Sequence, residues 1–206
     1  MAQNEATANN TAWLRRGFQL EWITLSWNII GVIILAYLAI TTSSVALAGF
    51  GLDSLIEIGA STVVLWELSG TGAVRRRRAL RLIGVAFVAL AVYLSAQSAF
   101  AIITGHHASH SIGGIIWTAI TAAVMFLLAS GKSRVGARLN NPVLVTEGRV
   151  TLIDGLLALA VLVGLVLNAA FGWWWADPIV GFVIVYYAIR ESIHIFRDTA
   201  PEADDE

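Results

Sequence analysis

The fold is decided by the segment Ala48-Gly49-Phe50-Gly51-Leu52-Asp53-Ser54-Leu55-Ile56-Glu57-Ile58-Gly59-Ala60-Ser61, which places two carboxylates inside an apolar run long enough to cross a bilayer. Asp53 and Glu57 are four residues apart, so a helix carries both on one face. An acid at the bilayer centre costs roughly 2.5–3.5 kcal/mol on insertion scales. This pair therefore requires a partner, which is a basic side chain, a proton or a bound cation.

The composition of the whole chain indicates a membrane protein. Hydrophobic residues make up 57% of it and charged residues only 13%, with a mean hydropathy of +0.74. These values exclude a soluble globular domain and favour a polytopic membrane protein with one compact domain. The chain has no cysteine, so any bound metal must be held by oxygen or imidazole ligands.

Six apolar runs of about the length of a membrane helix follow one another, which predicts an all-α integral membrane bundle. They cover residues 19–40, 44–68, 79–104, 112–129, 142–169 and 178–196. We expect three parts: a cytoplasmic N-terminal segment (1–13) without signal-peptide features, a six-helix transport domain (14–196), and a short acidic cytoplasmic tail (197–206). The connector between spans four and five is predicted at 131–140.

All lysine and arginine residues fall on one side of this predicted topology, while the three connectors on the other side have none. The positive-inside rule therefore places both termini in the cytoplasm. The run of four arginines at 75–78 could suggest nucleic acid, but beside a membrane helix it favours a role in topology and lipid contact, so we expect no nucleic-acid partner. Three consecutive tryptophans at 173–175 are typical of an interfacial aromatic belt.

A second polar face lies in the fifth span, where Glu147, Thr151 and Asp154 share one side of a helix. With a rise of about 1.5 Å per residue, Asp154 and Asp53 reach a similar depth near the middle of the membrane. We call Asp53, Glu57 and Asp154 the central acids. We expect no lysine or arginine at their level, so protons or a captured cation must neutralise them.

Other polar residues are candidates for supporting roles. Glu21 and Asn28 are seven residues apart in the first span and could line a path to the site, although Glu21 could instead be solvated at the membrane edge. Three histidines could collect a metal at the outer mouth, or belong to a flexible polar loop. They are His106, His107 and His110.

The acidic positions resemble those of the cation diffusion facilitators, or cation efflux family. In that family the second helix carries two acids four residues apart, and the fifth carries His or Asp followed four residues later by Asp. Asp53-Ser54-Leu55-Ile56-Glu57 matches the first pattern, and Val150-Thr151-Leu152-Ile153-Asp154 matches the second at Asp154, with Val150 at the position of the usual His. The join from Gly164 to Asn168, with Trp175-Ala176-Asp177-Pro178, is also similar.

The resemblance covers about residues 14–196 and implies a six-helix efflux transporter of the subgroup without a cytoplasmic C-terminal domain. It implies proton-coupled antiport by alternating access, with the central acids as metal ligands. The helix faces described above add four secondary candidates, which are Thr151, Glu147, Asn28 and Glu21. The implied substrate is a divalent cation, with Zn²⁺ first and Cd²⁺ next, and no resident cofactor is expected. We further expect a homodimer through membrane helices, in the bacterial inner membrane.

Alternatives to zinc export follow from the same residues. Without the imidazole, a site of carboxylates and hydroxyls suits manganese or iron as readily as zinc. The acids could also pin the bundle together in a membrane metal sensor or partner protein that transports nothing. An intramembrane aspartyl protease using Asp53 and Asp154 is disfavoured because no further catalytic motif accompanies them, so we expect no enzyme activity.

Overall fold

The computed structural model describes residues 2–68, 73–105 and 108–198 of the chain. Within these ranges all regular structure is helical, and each helix is long and apolar enough to cross a membrane. The helices are α1 (Ala2–Thr42), α2 (Val45–Leu68), α3 (Ala73–Thr104), α4 (Ile112–Leu139), α5 (Pro142–Phe171) and α6 (Ala176–Asp198). The six helices of the described residues confirm the predicted membrane bundle. A helix suits the bilayer because it pairs most of its backbone polar groups within itself.

The junction between α4 and α5 differs from the prediction, because α4 continues through the expected connector to Leu139. Asn140 ends α4 in the left-handed conformation (φ 49°), and its amide donates to the carbonyl oxygens of Gly136 and Ala137. The side chain of Asn141 accepts a hydrogen bond from the Leu144 amide at 3.2 Å, and Pro142 opens α5. Asparagine just after the end of one helix and proline at the first position of the next are recognised boundary signals.

The beginnings of α2 and α6 are joined by one carboxylate. Asp177, in the first turn of α6, accepts hydrogen bonds from the Ser44 hydroxyl and from the Val45 amide at 2.8 Å. Ser44 in turn caps α2 by accepting from the Leu47 amide at 3.1 Å. These contacts satisfy amides that a helix N-terminus otherwise leaves unpaired.

Helix α2 is central, and it packs against α1, α3, α5 and α6. The most extensive pairings are α4 with α5, α3 with α6, and α1 with α2. Trp27 of α1 stacks on Trp117 of α4 with ring centroids 5.1 Å apart, which closes a ring of α1, α2, α5 and α4. Polar side chains of α1, α2, α4 and α5 are buried in this bundle, while many large apolar side chains of the helices are exposed, as expected for a lipid-facing surface.

The two ends of the bundle differ in charge. At one end, the guanidinium groups of Arg16 and Arg138 lie 4.7 and 5.8 Å from the Trp13 ring centroid. We call this the basic end. At the opposite end, the Ser109 amide donates to the Thr42 carbonyl at 2.9 Å. Helix α1 therefore contacts α4 at the basic end and the connector before α4 at the opposite end.

Candidate functional site

The polar face of α2 points into the bundle. Asp53, Glu57 and Ser61 follow one another at intervals of four residues, and all three are buried. Residues 48–61 therefore belong to a helix whose polar stripe faces other helices and not lipid. The structure also adds a neighbour, because Glu191 of α6 is buried within electrostatic range of Asp53.

The polar face of α5 lies against that stripe and runs antiparallel to it. The Thr151 hydroxyl donates to Glu57 Oε1 at 3.1 Å, and the Ser61 hydroxyl donates to Glu147 Oε1 at 3.3 Å. One turn further along, Asp154 lies within electrostatic range of Asp53, so their carboxylates repel each other when both are ionised. The structure thus brings the central acids to the same interface.

Asp154 is buried, and neither of its carboxylate oxygens has a hydrogen-bond partner among the described residues. An ionised carboxylate without a partner is very unfavourable in a protein interior. The Asp154 carboxylate must therefore either be protonated or bind a cation.

The central acids do not form a preassembled coordination shell. Across residues 2–68, 73–105 and 108–198, no three histidine, aspartate or glutamate side chains converge closely enough to hold a metal ion. The assignment of Asp53, Glu57 and Asp154 as ligands stays a prediction. If they bind one ion together, their side chains must draw closer than they are here.

The prediction that no lysine or arginine lies at the level of the central acids is wrong. Lys132 of α4 is fully buried, and its ammonium lies 3.2 Å from Glu21 Oε2 and 3.3 Å from Glu147 Oε1. It also donates to the Thr151 hydroxyl at 3.0 Å. We call Lys132, Glu21, Glu147 and Thr151 the lysine network.

The position of Lys132 depends on where α4 ends. The predicted connector at 131–140 includes Lys132, but α4 continues for seven residues beyond it, so Lys132 belongs to the helix. Side chains on a helix tilt toward its N-terminus, which here is the end away from the basic end, so the lysine stem points toward the middle of the bundle. The Asn140-Asn141-Pro142 sequence was the signal that could have located the true boundary.

The secondary candidates from α1 are also interior residues. Glu21 is 0% exposed and paired with Lys132, so the interpretation of Glu21 as a solvated edge residue is wrong. Asn28 is equally buried, and its amide donates to the Thr24 carbonyl at 3.1 Å within its own helix. Thr151 and Glu147 both belong to the lysine network, one turn or more from Asp154.

The proposed histidine cluster is described only in part. His106 and His107 lie outside the described residues. The His110 ring nitrogen Nε2 is 3.0 Å from the Asn168 carbonyl oxygen, and the Asn168 amide donates to the Ala108 carbonyl at 3.0 Å. These contacts tie the α3–α4 connector to the end of α5.

Comparisons with known proteins agree with this architecture. Residues 81–202 match the family model of the cation efflux transmembrane domain, a range that includes Lys132 and Asp154. Transmembrane protein 163 of Xenopus laevis is 23% identical over 199 residues, which cover 91% of this chain and 68% of that protein. The matched family comprises membrane transporters and not enzymes. This chain, whose described residues form six helices that could each cross a membrane, belongs to the cation efflux family.

Proposed function

We propose that this protein exports a divalent metal ion in exchange for protons, with Zn²⁺ as the favoured substrate and Cd²⁺ next. The observation that carries the proposal is Asp154, a buried carboxylate without a hydrogen-bond partner among the described residues, which faces Asp53 across the α2–α5 interface. Family membership supports the transport of a cation. A divalent cation matches the charge of two facing carboxylates.

Proton exchange follows from the same charges. When the central acids release the metal, they cannot stay ionised together in a water-poor interior, since each charge is unfavourable there and repels the others. Protons neutralise them for the return step, and an arriving cation displaces those protons. An inward proton gradient would then drive export through alternating access.

The donor set keeps manganese and iron as alternative substrates. Carboxylates and hydroxyls surround the proposed site, and Val150 occupies the position where zinc-transporting relatives would supply imidazole. Oxygen ligands suit Mn²⁺ and Fe²⁺, whereas imidazole favours Zn²⁺. We rank zinc first on the family resemblance.

Orientation and assembly complete the proposal. The basic end of the bundle would face the cytoplasm by the positive-inside rule. The family resemblance gives the direction as export, here across the bacterial inner membrane. A homodimer would form through the small-residue surfaces of α3 and α6, where membrane helices can approach closely.

The test is transport by the purified chain in proteoliposomes with a panel of zinc, cadmium, manganese, iron, cobalt and nickel ions. A pH-sensitive dye reports whether protons move opposite to the metal. We expect zinc flux accompanied by proton counterflow, and slower flux when the metal-loading side is acidified. Metal flux that ignores an imposed pH gradient would contradict antiport, and the absence of flux for every ion would favour a sensor or partner protein.

A further inference from the structure

Lys132 is the only lysine in a chain whose other basic side chains, histidine apart, are all arginine. Its side chain is 0% exposed, and its ammonium reaches acceptors on two other helices. Glu21 of α1 and Glu147 of α5 are its ion-pair partners, and Thr151 is its hydroxyl acceptor. The single buried ammonium thus holds α1, α4 and α5 together.

The position of this ammonium along the bundle is informative. On α5 the order from the basic end is Glu147, Thr151, Asp154, and the Lys132 ammonium binds the first two. Its Cα lies seven residues, or roughly 10 Å, inside the end of α4. A cation that moves from the basic end toward Asp154 therefore reaches the lysine network first.

The network is also connected to the central acids. Thr151 accepts from Lys132 and donates its own proton to Glu57 Oε1 at 3.1 Å. Glu57 lies within electrostatic range of the ammonium, so one positive charge is shared among three glutamates. Any shift of the ammonium alters both the charge and the hydrogen bonding at Glu57.

We propose that Lys132 is a tethered competitor of the transported cation: its ammonium holds Glu21 and Glu147 until a divalent ion takes these carboxylates from it. This inference rests on the proposed function. A divalent ion interacts more strongly with paired carboxylates than a single ammonium does. The lysine cannot follow the ion inward because its four-carbon stem fixes its reach. Thr151 then loses the hydrogen bond from Lys132 and keeps its own hydrogen bond to Glu57. Lys132 is thus a positioning residue on the path to the central acids.

Because Lys132 is the only lysine, its reactivity can be followed on the unaltered chain. The purified protein in lipid nanodiscs is treated with a small amine-modifying reagent, with zinc chloride or magnesium chloride, and Lys132 modification is measured by mass spectrometry against the N-terminal amine. We expect zinc to accelerate modification of Lys132 by about tenfold or more, as displacement from its carboxylates requires. An unchanged or slower rate at zinc saturation would overturn the proposal.

Variants provide a second test by equilibrium dialysis with ⁶⁵Zn. Lys132→Gln frees Glu21 and Glu147, so we expect it to bind zinc about tenfold more tightly than the wild type and to transport it more slowly. Lys132→Arg keeps the charge and should bind zinc no more tightly than the wild type. Equal zinc affinity in Lys132→Gln and wild type would refute the role of the lysine, whereas absence of zinc binding in both would refute the proposed function.

Discussion

A carboxylate inside a membrane bundle needs a compensating charge, and Glu147 and Asp154 meet this need differently. Glu147 has the Lys132 ammonium at 3.3 Å and the Ser61 hydroxyl at the same distance. Asp154 has no hydrogen-bond partner among the described residues. Removal of one partner from a buried ion pair typically costs about 3–5 kcal/mol, whereas removal of an unpartnered carboxylate breaks no such pair. The two acids should therefore respond differently to substitution.

For Asp154→Ala we expect loss of metal transport without loss of folding, because the substitution removes a ligand but no hydrogen bond within the described structure. The loss of unfolding free energy should be smaller than for Glu147→Ala, which removes a partner of the buried Lys132 ammonium. Metal flux in proteoliposomes and thermal unfolding in detergent measure the two effects. Asp53→Ala and Glu57→Ala should abolish transport as well.

The matched control is Ser54→Ala, next to Asp53 in α2. Ser54 is buried, but its hydroxyl donates to the Phe50 carbonyl of its own helix at 3.1 Å. Transport should persist in this variant. If the three acids serve only to hold the helices together, their alanine variants should unfold in detergent and not remain folded and inactive.

Selectivity can be tested at Val150, one helical turn from Asp154. Val150 is half-buried and lines a cavity of 570 Å³ between α5 and α6, together with Glu191. Val150→His should shift preference toward zinc and cadmium against manganese, because imidazole favours the borderline metals. Competition between metals in the flux assay measures this, with Val150→Asn as an oxygen-donor control. Identical selectivity in both variants would show that position 150 does not face the ion.

At the scale of elements, α4 and α5 approach closely enough to bring Lys132 onto Glu147. Glycine makes this approach possible. A Cβ at Gly148 would lie 3.0 Å from the Ser133 amide nitrogen and 3.2 Å from the Ala129 carbonyl oxygen, both backbone atoms that cannot rotate away. Small residues at such positions let membrane helices come together.

We expect Gly148→Ala to push α4 and α5 apart and to destabilise the bundle by about 1–3 kcal/mol, the range typical of overpacking. Gly31→Ala is the matched control, since its Cβ would make an ordinary contact with Trp117 at 3.5 Å. Thermal unfolding of both variants in one detergent gives the comparison. Equal stability of the two would mean that the α4–α5 contact tolerates a wider spacing.

At the scale of the whole molecule, the bundle separates a basic end from an end without described lysine or arginine. Ser109 is exposed at the latter, where its amide binds the Thr42 carbonyl. Ala137 is exposed near the former, in the last turn of α4. Both positions can carry a cysteine without filling buried space.

Single cysteines at these two positions test the topology, because the chain has no native cysteine. A membrane-impermeant thiol reagent added to intact cells should label Ser109→Cys, whereas Ala137→Cys should react only after the membrane is permeabilised. The physical reason is the one-sided distribution of basic residues. Labelling of Ala137→Cys from outside would reverse the proposed direction of transport.

Much of this architecture could be predicted from the sequence because hydropathy is a local property. A run such as that around Asp53 must be a helix in a membrane, whatever its neighbours are, and spacing alone assigns residues four apart to one face. The number of spans, the polar faces of α2 and α5, and the family resemblance all followed from such patterns. Their use as metal ligands stays a prediction.

The partners of each side chain were decided only by the tertiary structure. In the sequence, Lys132 has no regular spacing to Glu21 or Glu147, so no pattern predicts that the three side chains meet. Its place among other basic residues favours a connector. Its burial depends on the true end of α4, on the rotation of that helix and on the glycine contacts with α5. Glu191 was missed for the same reason, since α6 meets α2 only after folding. A buried charge is neutralised by side chains from other helices. No single stretch of sequence shows which helices will meet.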